Sequence, residues 1–103
     1  MKIAVVSTDG KRVDEHFGQA SRFLIYQLAE TGPSFVEERE AEPLSVGNPD
    51  HPFDRELFDQ ILQTIGDCER VYITQIGQRP ASELMAEGIT PIIHTGPIAQ
   101  ITV

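Results

Sequence analysis

The chain has 103 residues, of which 40% are hydrophobic and 23% charged, a composition typical of one soluble globular domain spanning residues 1–103. Acidic residues outnumber basic ones by 16 to 8, and the net charge of −8 with no basic stripe excludes nucleic acid as an expected partner. One cysteine excludes an internal disulfide or a self-contained cysteine-ligated cluster and predicts a protein of the reducing cytoplasm. The lack of a long apolar run predicts no membrane partner.

The first half of the chain contains three runs with the composition of strands. Residues 2–7 form a short apolar run, residues 22–28 form a second, and residues 34–41 form a third that is more polar. Residues 8–11 end the first run, and residues 30–33 have the composition of a turn. These runs predict three strands joined by hairpin-like connections.

The second half alternates helix and strand patterns. Apolar residues between Phe53 and Ile65 recur at the spacing of one helix face, and Gly66 follows as a helix stop. Residues 70–75 predict a fourth strand, residues 80–88 a second helix, and residues 89–94 a fifth strand. The order βββαβαβ predicts an α/β fold with one five-stranded mixed sheet flanked by helices.

The segment between the first two strands carries the most informative motif. Asp14-Glu15-His16-Phe17-Gly18 places an imidazole, an aromatic ring and a glycine in one irregular loop. Such loops add little to a core and commonly bind ligands, and neutral imidazole is the commonest metal ligand in proteins. We therefore predict His16 as a metal ligand with Phe17 and Gly18 beside it in a cofactor site. The alternatives are a loop histidine that hydrogen-bonds local backbone and a phenylalanine that anchors the loop.

Two stretches carry a family resemblance. The pattern Asp-Glu-His-Phe-Gly-x-Ala-x-x-Phe over residues 14–23 resembles the nitrogenase iron–molybdenum-cofactor biosynthesis family, which includes NifX-like domains and the C-terminal domain of NifB. Residues 76–91 look like that family's Ile-Gly-x-x-Pro…Leu…Gly-Ile-x-Pro stretch. The resemblance implies a ribonuclease-H-like sheet ordered 3-2-1-4-5. It also implies a domain that binds a metal–sulfur cofactor or its precursor and meets cofactor-assembly proteins.

Chain direction predicts where the site lies. The loops containing His16 and His51, and the strand end at His94, all fall at the carboxyl ends of the parallel strands, where α/β sheets bind ligands. Both helix N-termini fall at the same edge and favour negative charge. We therefore add Gly77, which allows close backbone approach, and Arg79, which is able to pair with an anion.

Other polar residues have competing interpretations. His51 is predicted to be solvated or to flank the first helix, and His94 to join the site unless its edge strand lies too far away. Cys68 precedes the fourth strand at the opposite edge, so we predict a small hydrophobe there and not a ligand. Asp9 and Asp14 are predicted to cap turns or to remain solvated.

Three functions fit these residues. The first is a non-catalytic carrier or chaperone for a metal–sulfur cofactor of the iron–molybdenum type, and the kind of cluster stays open. The second is a metal-dependent hydrolase or nuclease, which needs several carboxylates around two metal ions; residues 70–75 offer none. The third is a regulatory or scaffold module without a ligand. We expect the carrier, and hence a protein that is not an enzyme.

Overall fold

A computed structural model describes residues 1–44 and 53–103, so the prediction for His51 lies outside the described residues. The elements in chain order are strand β1 (Lys2–Val5), strand β2 (Arg12–Val13), a 3-10 turn (Phe17–Gln19), strand β3 (Arg22–Ala29), strand β4 (Gly32–Glu40), helix α1 (Arg55–Ile65), strand β5 (Arg70–Ile73), helix α2 (Gln78–Ala86), strand β6 (Thr90–Ile93), strand β7 (Gly96–Pro97) and a second 3-10 turn (Ile98–Gln100).

The central element is a five-stranded mixed sheet in the order β4-β3-β1-β5-β6. Strand β1 pairs antiparallel with β3 and parallel with β5, which pairs parallel with β6. The predicted mixed sheet of five strands with two helices is confirmed. The short pair β2–β7 forms a separate two-stranded ladder that the sequence did not predict. If the five strands of the main sheet are numbered in chain order, leaving out β2 and β7, their order in the sheet is 3-2-1-4-5. The ribonuclease-H-like description stays a prediction.

Apolar residues alternate between the two faces of the sheet and form two clusters. On one face, Phe58, Ile61 and Ile65 of α1 and Leu84 of α2 pack on the strands. On the other face, which we call the back face, residues of β1, β3 and β5 are joined by residues outside the sheet. These back-face residues include Ile3, Val5, Leu24, Tyr26 and Tyr72 from the strands, with Val13, Ile98 and Ile101 over them.

The two helices begin and end close to their predicted limits. Helix α1 starts at Arg55, not at Phe53, because the side chain of Asp54 accepts a hydrogen bond from the backbone N–H of Leu57 and caps the helix. Gly66 follows α1 with φ of −62°, an ordinary right-handed conformation. Gly88 follows α2 with φ of +83°, a conformation that favours glycine and ends the helix.

Edge strand β4 is tied to the end of α1 by one arginine. Arg39 donates to the backbone oxygen of Thr64 at 2.8 Å and to both carboxylate oxygens of Asp67, at 2.7 and 3.1 Å. Lys2 of β1 donates to the same carboxylate at 3.0 Å. The Arg39 guanidinium therefore holds the pKa of Asp67 well below its usual range. Within residues 1–44 and 53–103, no helix has the length and apolar character to cross a membrane.

Candidate functional site

The His16 loop is held against the segment that follows β5. The backbone N–H of Phe17 donates to the backbone oxygen of Gln75 at 2.9 Å, and the N–H of Thr74 donates to the oxygen of Glu15 at 3.0 Å. These two hydrogen bonds flank His16. They also explain why β5 is shorter than predicted, since the chain beyond Ile73 pairs with this loop and not with β1.

The side chain of Phe17 anchors the loop to the hydrophobic core. Its side chain is fully buried, and its ring centre lies 6.2 Å from that of Phe23 and 6.4 Å from that of Phe58. Tilted and edge-to-face pairs at these distances are favourable aromatic contacts. The position of Phe17 therefore matches the alternative prediction of a loop anchor, and Phe17 also lines a pocket.

That pocket has a volume of about 200 Å³ at the carboxyl ends of the parallel strands. Its lining residues are His16, Phe17, Gly18, Gln19, Leu44, Gln75, Ile76, Gly77 and Pro80. The His16 side chain is exposed, and its imidazole makes no capping hydrogen bond to the following 3-10 turn. A neutral imidazole in this setting retains a ring nitrogen lone pair for a metal.

The start of α2 forms one wall of the pocket. Gly77 is its N-cap residue, and no side chain caps the helix there. The N–H groups at the start of a helix lack intrahelical partners, and the helix dipole adds partial positive charge. By contrast, the start of α1 already accommodates the carboxylate of Asp54. Of the two predicted anion-favouring helix N-termini, only that of α2 therefore remains uncapped.

Arg79 lies beside the pocket and does not line it. Its guanidinium carbon sits 4.4 Å from the centre of the Phe53 ring, and its Nε is 3.6 Å from Oε1 of Glu83. Arg55 takes the other oxygen of Glu83 at 2.9 Å, and this hydrogen bond is the main cause of the lowered pKa of Glu83. The Arg79 side chain is 64% exposed, so its charge is accessible from solvent.

His94 lies at the same edge of the sheet but on the back face. Its Nε2 is 3.2 Å from the backbone oxygen of Pro97, and its ring meets the Tyr72 ring edge-on with centres 6.2 Å apart. Tyr72 belongs to the back-face cluster, whereas Leu44 and Ile76 of the pocket pack on the helix-side cluster. The structure thus does not bring His94 together with His16.

Cys68 lies far from the pocket along the sheet. It precedes β5, and the next backbone N–H, of Glu69, bonds to the oxygen of Lys2 at the start of β1. The thiol is 3% exposed, and burial raises its pKa to about 12. A protonated, buried thiol is a poor metal ligand, which agrees with the predicted role as a small hydrophobe.

The carboxylates after β1 serve local turns, as predicted. Oδ1 of Asp9 accepts from the N–H groups of Lys11 and Arg12 at 2.8 and 2.9 Å, and these bonds lower the pKa of Asp9. Oδ1 of Asp14 accepts from the N–H of Thr8 at 2.8 Å. Among the residues that the structure describes, no three His, Cys, Asp or Glu side chains are grouped so as to hold a metal ion. The pocket therefore offers one imidazole to a ligand.

A model of the dinitrogenase iron-molybdenum cofactor family matches residues 1–102 of this sequence. The chain belongs to this family. Among curated relatives, the FeMo cofactor biosynthesis protein NifB of Klebsiella pneumoniae is 38% identical over 103 residues, covering 96% of this chain and 22% of NifB. The protein NifX of Rhodobacter capsulatus is 28% identical over 100 residues, covering 94% of this chain and 61% of NifX. The chain thus spans about a fifth of that NifB and less than two thirds of that NifX.

Solved structures share the fold of this family member. The crystal structure of PH0822 aligns with a TM-score of 0.68 at 21% identity, covering 96% of this chain and 84% of that one. The NMR structure of a putative NifB protein from Thermotoga aligns with a TM-score of 0.55 at 20% identity, covering 96% of this chain and 80% of that one. The predicted family and its five-stranded α/β fold are therefore both confirmed.

Proposed function

We propose that this domain is a non-catalytic carrier that binds an iron–molybdenum-type metal–sulfur cofactor, or a precursor, and delivers it to cofactor-assembly proteins. The observation that carries the proposal is the exposed His16 imidazole at a pocket whose walls include Gly18 and Gly77. Membership of the dinitrogenase iron-molybdenum cofactor family supports the class of cargo.

The donor set fits a preassembled cluster better than a bare metal ion. A bare transition-metal ion needs about four ligands, and the described residues offer one imidazole at the pocket. A metal–sulfur cluster already carries bridging sulfides, so one imidazole is able to complete the coordination of one of its metal atoms. Ligation from one side also leaves the rest of the cluster open to a receiving protein.

Local charge supports an anionic cargo in spite of the net charge of −8. The uncapped start of α2 adjoins the pocket, and Arg79 stands on the first turn of this helix with a loose 3.6 Å contact to Glu83. We propose that Arg79 turns toward the outer part of the cargo, because an exposed ion pair is weak and easily exchanged. We leave His94 out of this site, since it packs on Tyr72.

A nuclease or hydrolase is a weaker candidate. Two-metal chemistry needs several converging carboxylates, and no such group occurs in residues 1–44 and 53–103. Asp9 follows β1, where such a carboxylate would be expected, but the adjoining turn uses its Oδ1. No observation specifically favours a ligand-free scaffold over the carrier.

The test is anaerobic binding of isolated iron–molybdenum cofactor, followed by gel filtration and metal analysis. Wild-type protein is expected to retain molybdenum and iron together with visible absorption. His16→Ala is expected to weaken binding at least 10- to 100-fold, the loss typical of changes even in residues that only orient a metal ligand. His94→Ala is the matched control, because it removes the same side chain from the other face of the sheet.

Retention of cofactor by His16→Ala at wild-type affinity would refute the site. Loss of binding in His94→Ala alone would place the cargo on the back face. Failure of the wild-type protein to retain any cofactor would favour the ligand-free scaffold.

A further inference from the structure

The back face of the sheet is only partly covered, and a second groove remains open over β3 and β4. It has a volume of about 440 Å³. Its lining residues are Asp9, Gly10, Arg22, Leu24, Tyr26, Phe35 and Glu38. Leu24 and Tyr26 are nearly buried and form the floor, whereas Phe35 is 59% exposed and stands as a wall. The C-terminal turn at Ile98 covers the neighbouring part of the face and leaves this part free.

The groove combines an aromatic corner with carboxylates. The rings of Tyr26 and Phe35 meet edge-to-face, with centres 5.5 Å apart and planes at 70°. Faces of perpendicular rings attract organic cations, and carboxylates strengthen that attraction. All three turn hydrogen bonds to Asp9 go to its Oδ1, which leaves Oδ2 for a ligand. The same bonds keep the pKa of Asp9 low, so this group is ionised at neutral pH.

Arg22 neutralises one of the two carboxylates and leaves the other charge in place. Its guanidinium donates to the backbone oxygens of Ser7 and Thr8 at 3.2 and 2.7 Å and to Oε1 of Glu38 at 2.6 Å. It is thus held at the end of the groove and fixes the carboxylate of Glu38. Two carboxylates and one guanidinium leave one negative charge on the lining, within a protein whose net charge is −8.

We propose that this groove docks a segment of a partner protein through one basic side chain, an arginine or a lysine. The aliphatic stem of that side chain lies over Tyr26 and Phe35, and its cationic head lies near Asp9 and Glu38. Complementary charge gives specificity and speeds association with a basic partner. The docking site goes beyond the carrier proposal, because it is on the opposite face from His16 and leaves that pocket open.

The surface beyond the groove predicts which residues of the partner segment follow its basic residue. Beyond Gly10 and Tyr26 the surface runs on between Lys11, Pro33, Ile98 and Ala99. Three of these residues are apolar, and Lys11 repels a second cation. The segment is therefore expected to carry one basic residue followed by apolar ones.

Strand addition at the β4 edge fits the structure less well. Pro33 has no N–H to donate, and the ladder with β3 is irregular between Ile25 and Tyr26, where Val36 has no partner. Glu37, Glu38 and Glu40 further charge this edge. Bulges, proline and charge are the features that keep edge strands from pairing with other chains.

The test uses the peptide acetyl-Gly-Arg-Leu-Leu-Gly-amide and backbone amide NMR of ¹⁵N-labelled protein. Saturable shifts are expected at Leu24, Tyr26, Phe35 and Glu38. A peptide with citrulline in place of arginine keeps the shape without the charge, and we expect it to bind about fivefold more weakly. Phe35→Ser should abolish the shifts, whereas Val36→Ser, its apolar and exposed neighbour outside the groove, should retain them.

Three outcomes would overturn the proposal. One is the absence of saturable shifts up to the solubility limit of the peptide. Another is equal affinity for the arginine and citrulline peptides, which would show that the charge is not recognised. The third is unchanged binding by Phe35→Ser. The peptide and both variants need no cofactor, so the result is independent of the His16 site.

Discussion

His16 and Phe17 are neighbours in sequence with opposite surroundings. The Phe17 ring is fully buried between two other aromatic rings, while the His16 side chain is exposed beside the pocket. Burial of the phenylalanine fixes the backbone from which the histidine projects. A metal-ligating side chain on such a fixed backbone loses little conformational freedom when the cofactor binds, and this favours affinity.

Replacement of Phe17 by alanine is expected to lower the free energy of unfolding by about 3–5 kcal/mol, because it leaves a cavity in the helix-side cluster. Urea unfolding followed by circular dichroism measures this loss. Phe35→Ala is the matched control and should lower the free energy of unfolding by less than about 1.5 kcal/mol, since Phe35 is 59% exposed and loses mainly its edge-to-face contact with Tyr26. Equal losses in the two variants would contradict the assigned burial.

Cys68→Ser is expected to retain cofactor binding and to lower stability at pH 7 by about 1–2 kcal/mol, because a more polar and smaller hydroxyl replaces a thiol buried in the helix-side cluster, where Asp67 Oδ1 lies 3.7 Å away. The folded-state pKa of the thiol, raised to about 12, lies above that of the unfolded chain. The thiol therefore stabilises the fold fully below about pH 8.5, and this contribution falls as the pH rises toward 12. Urea unfolding at pH 7 and pH 10 should show the wild type losing about 2 kcal/mol more than the variant. A parallel loss in both would exclude the raised pKa.

The helices and strands differ in how far sequence pattern predicted them. Helix α1 carries a clear apolar stripe, so its existence and its end at Ile65 were predictable. Strands β2 and β7 have two residues each, too few to establish an alternating pattern. They form because tertiary contacts bring Arg12 beside Pro97, which no local signal records.

The site was also predicted only in part, because some of its residues are brought together by tertiary contacts that leave no local signal in the sequence. The predicted site residues His16, Phe17, Gly18 and Gly77 all line the pocket. Gln19, Ile76 and Pro80 also line it and lie within the two stretches that carry the family resemblance, but they were not predicted as site residues. Leu44 and Gln75 lie outside both stretches and reach the pocket only through the docking of separate segments. Chain direction correctly gave the sheet edge of His94. It did not give the face, because that depends on the register between β5 and β6.

The cap of α1 provides a test at the scale of one helix. Asp54→Ala is expected to destabilise the protein by about 1 kcal/mol, because the N–H of Leu57 loses its acceptor. Glu56→Ala removes a carboxylate from the same turn without removing the cap, and it should lower the free energy of unfolding by less than Asp54→Ala does. Thermal unfolding of the two variants in parallel measures the difference. Equal effects would mean that charge near the helix start matters and the capping hydrogen bond does not.

The tie between β4 and α1 makes stability depend on acid. Because the pKa of Asp67 is lower in the folded than in the unfolded protein, its contribution is present above about pH 4 and is lost as the pH falls through the folded-state pKa. Asp67→Asn should therefore be less stable than wild type at pH 7 and approach it at pH 2–3. Urea midpoints across this range measure the convergence. A constant difference between the two proteins would exclude the assigned ionisation.

At the scale of the whole molecule, the two apolar clusters are complete without any ligand. The apo protein is therefore expected to unfold cooperatively, and bound cofactor at about 100 times its dissociation constant should add about 2.7 kcal/mol, or roughly 10–20 °C in Tm. Without cofactor His16→Ala should melt like the apo wild type, and with the same cofactor concentration its increase in Tm should be much smaller than that of the wild type. An unfolded apo protein would point instead to a structural metal site.

The hydrogen bonds that flank His16 join residues from opposite halves of the chain, since Glu15 and Phe17 pair with Thr74 and Gln75. During synthesis the His16 motif leaves the ribosome long before β5 does. The motif has no partner for its backbone until β5 has been made and added to the sheet beside β1. A nascent or truncated chain thus displays the histidine without the pocket, and the carrier proposal therefore expects cofactor to bind only to the folded domain.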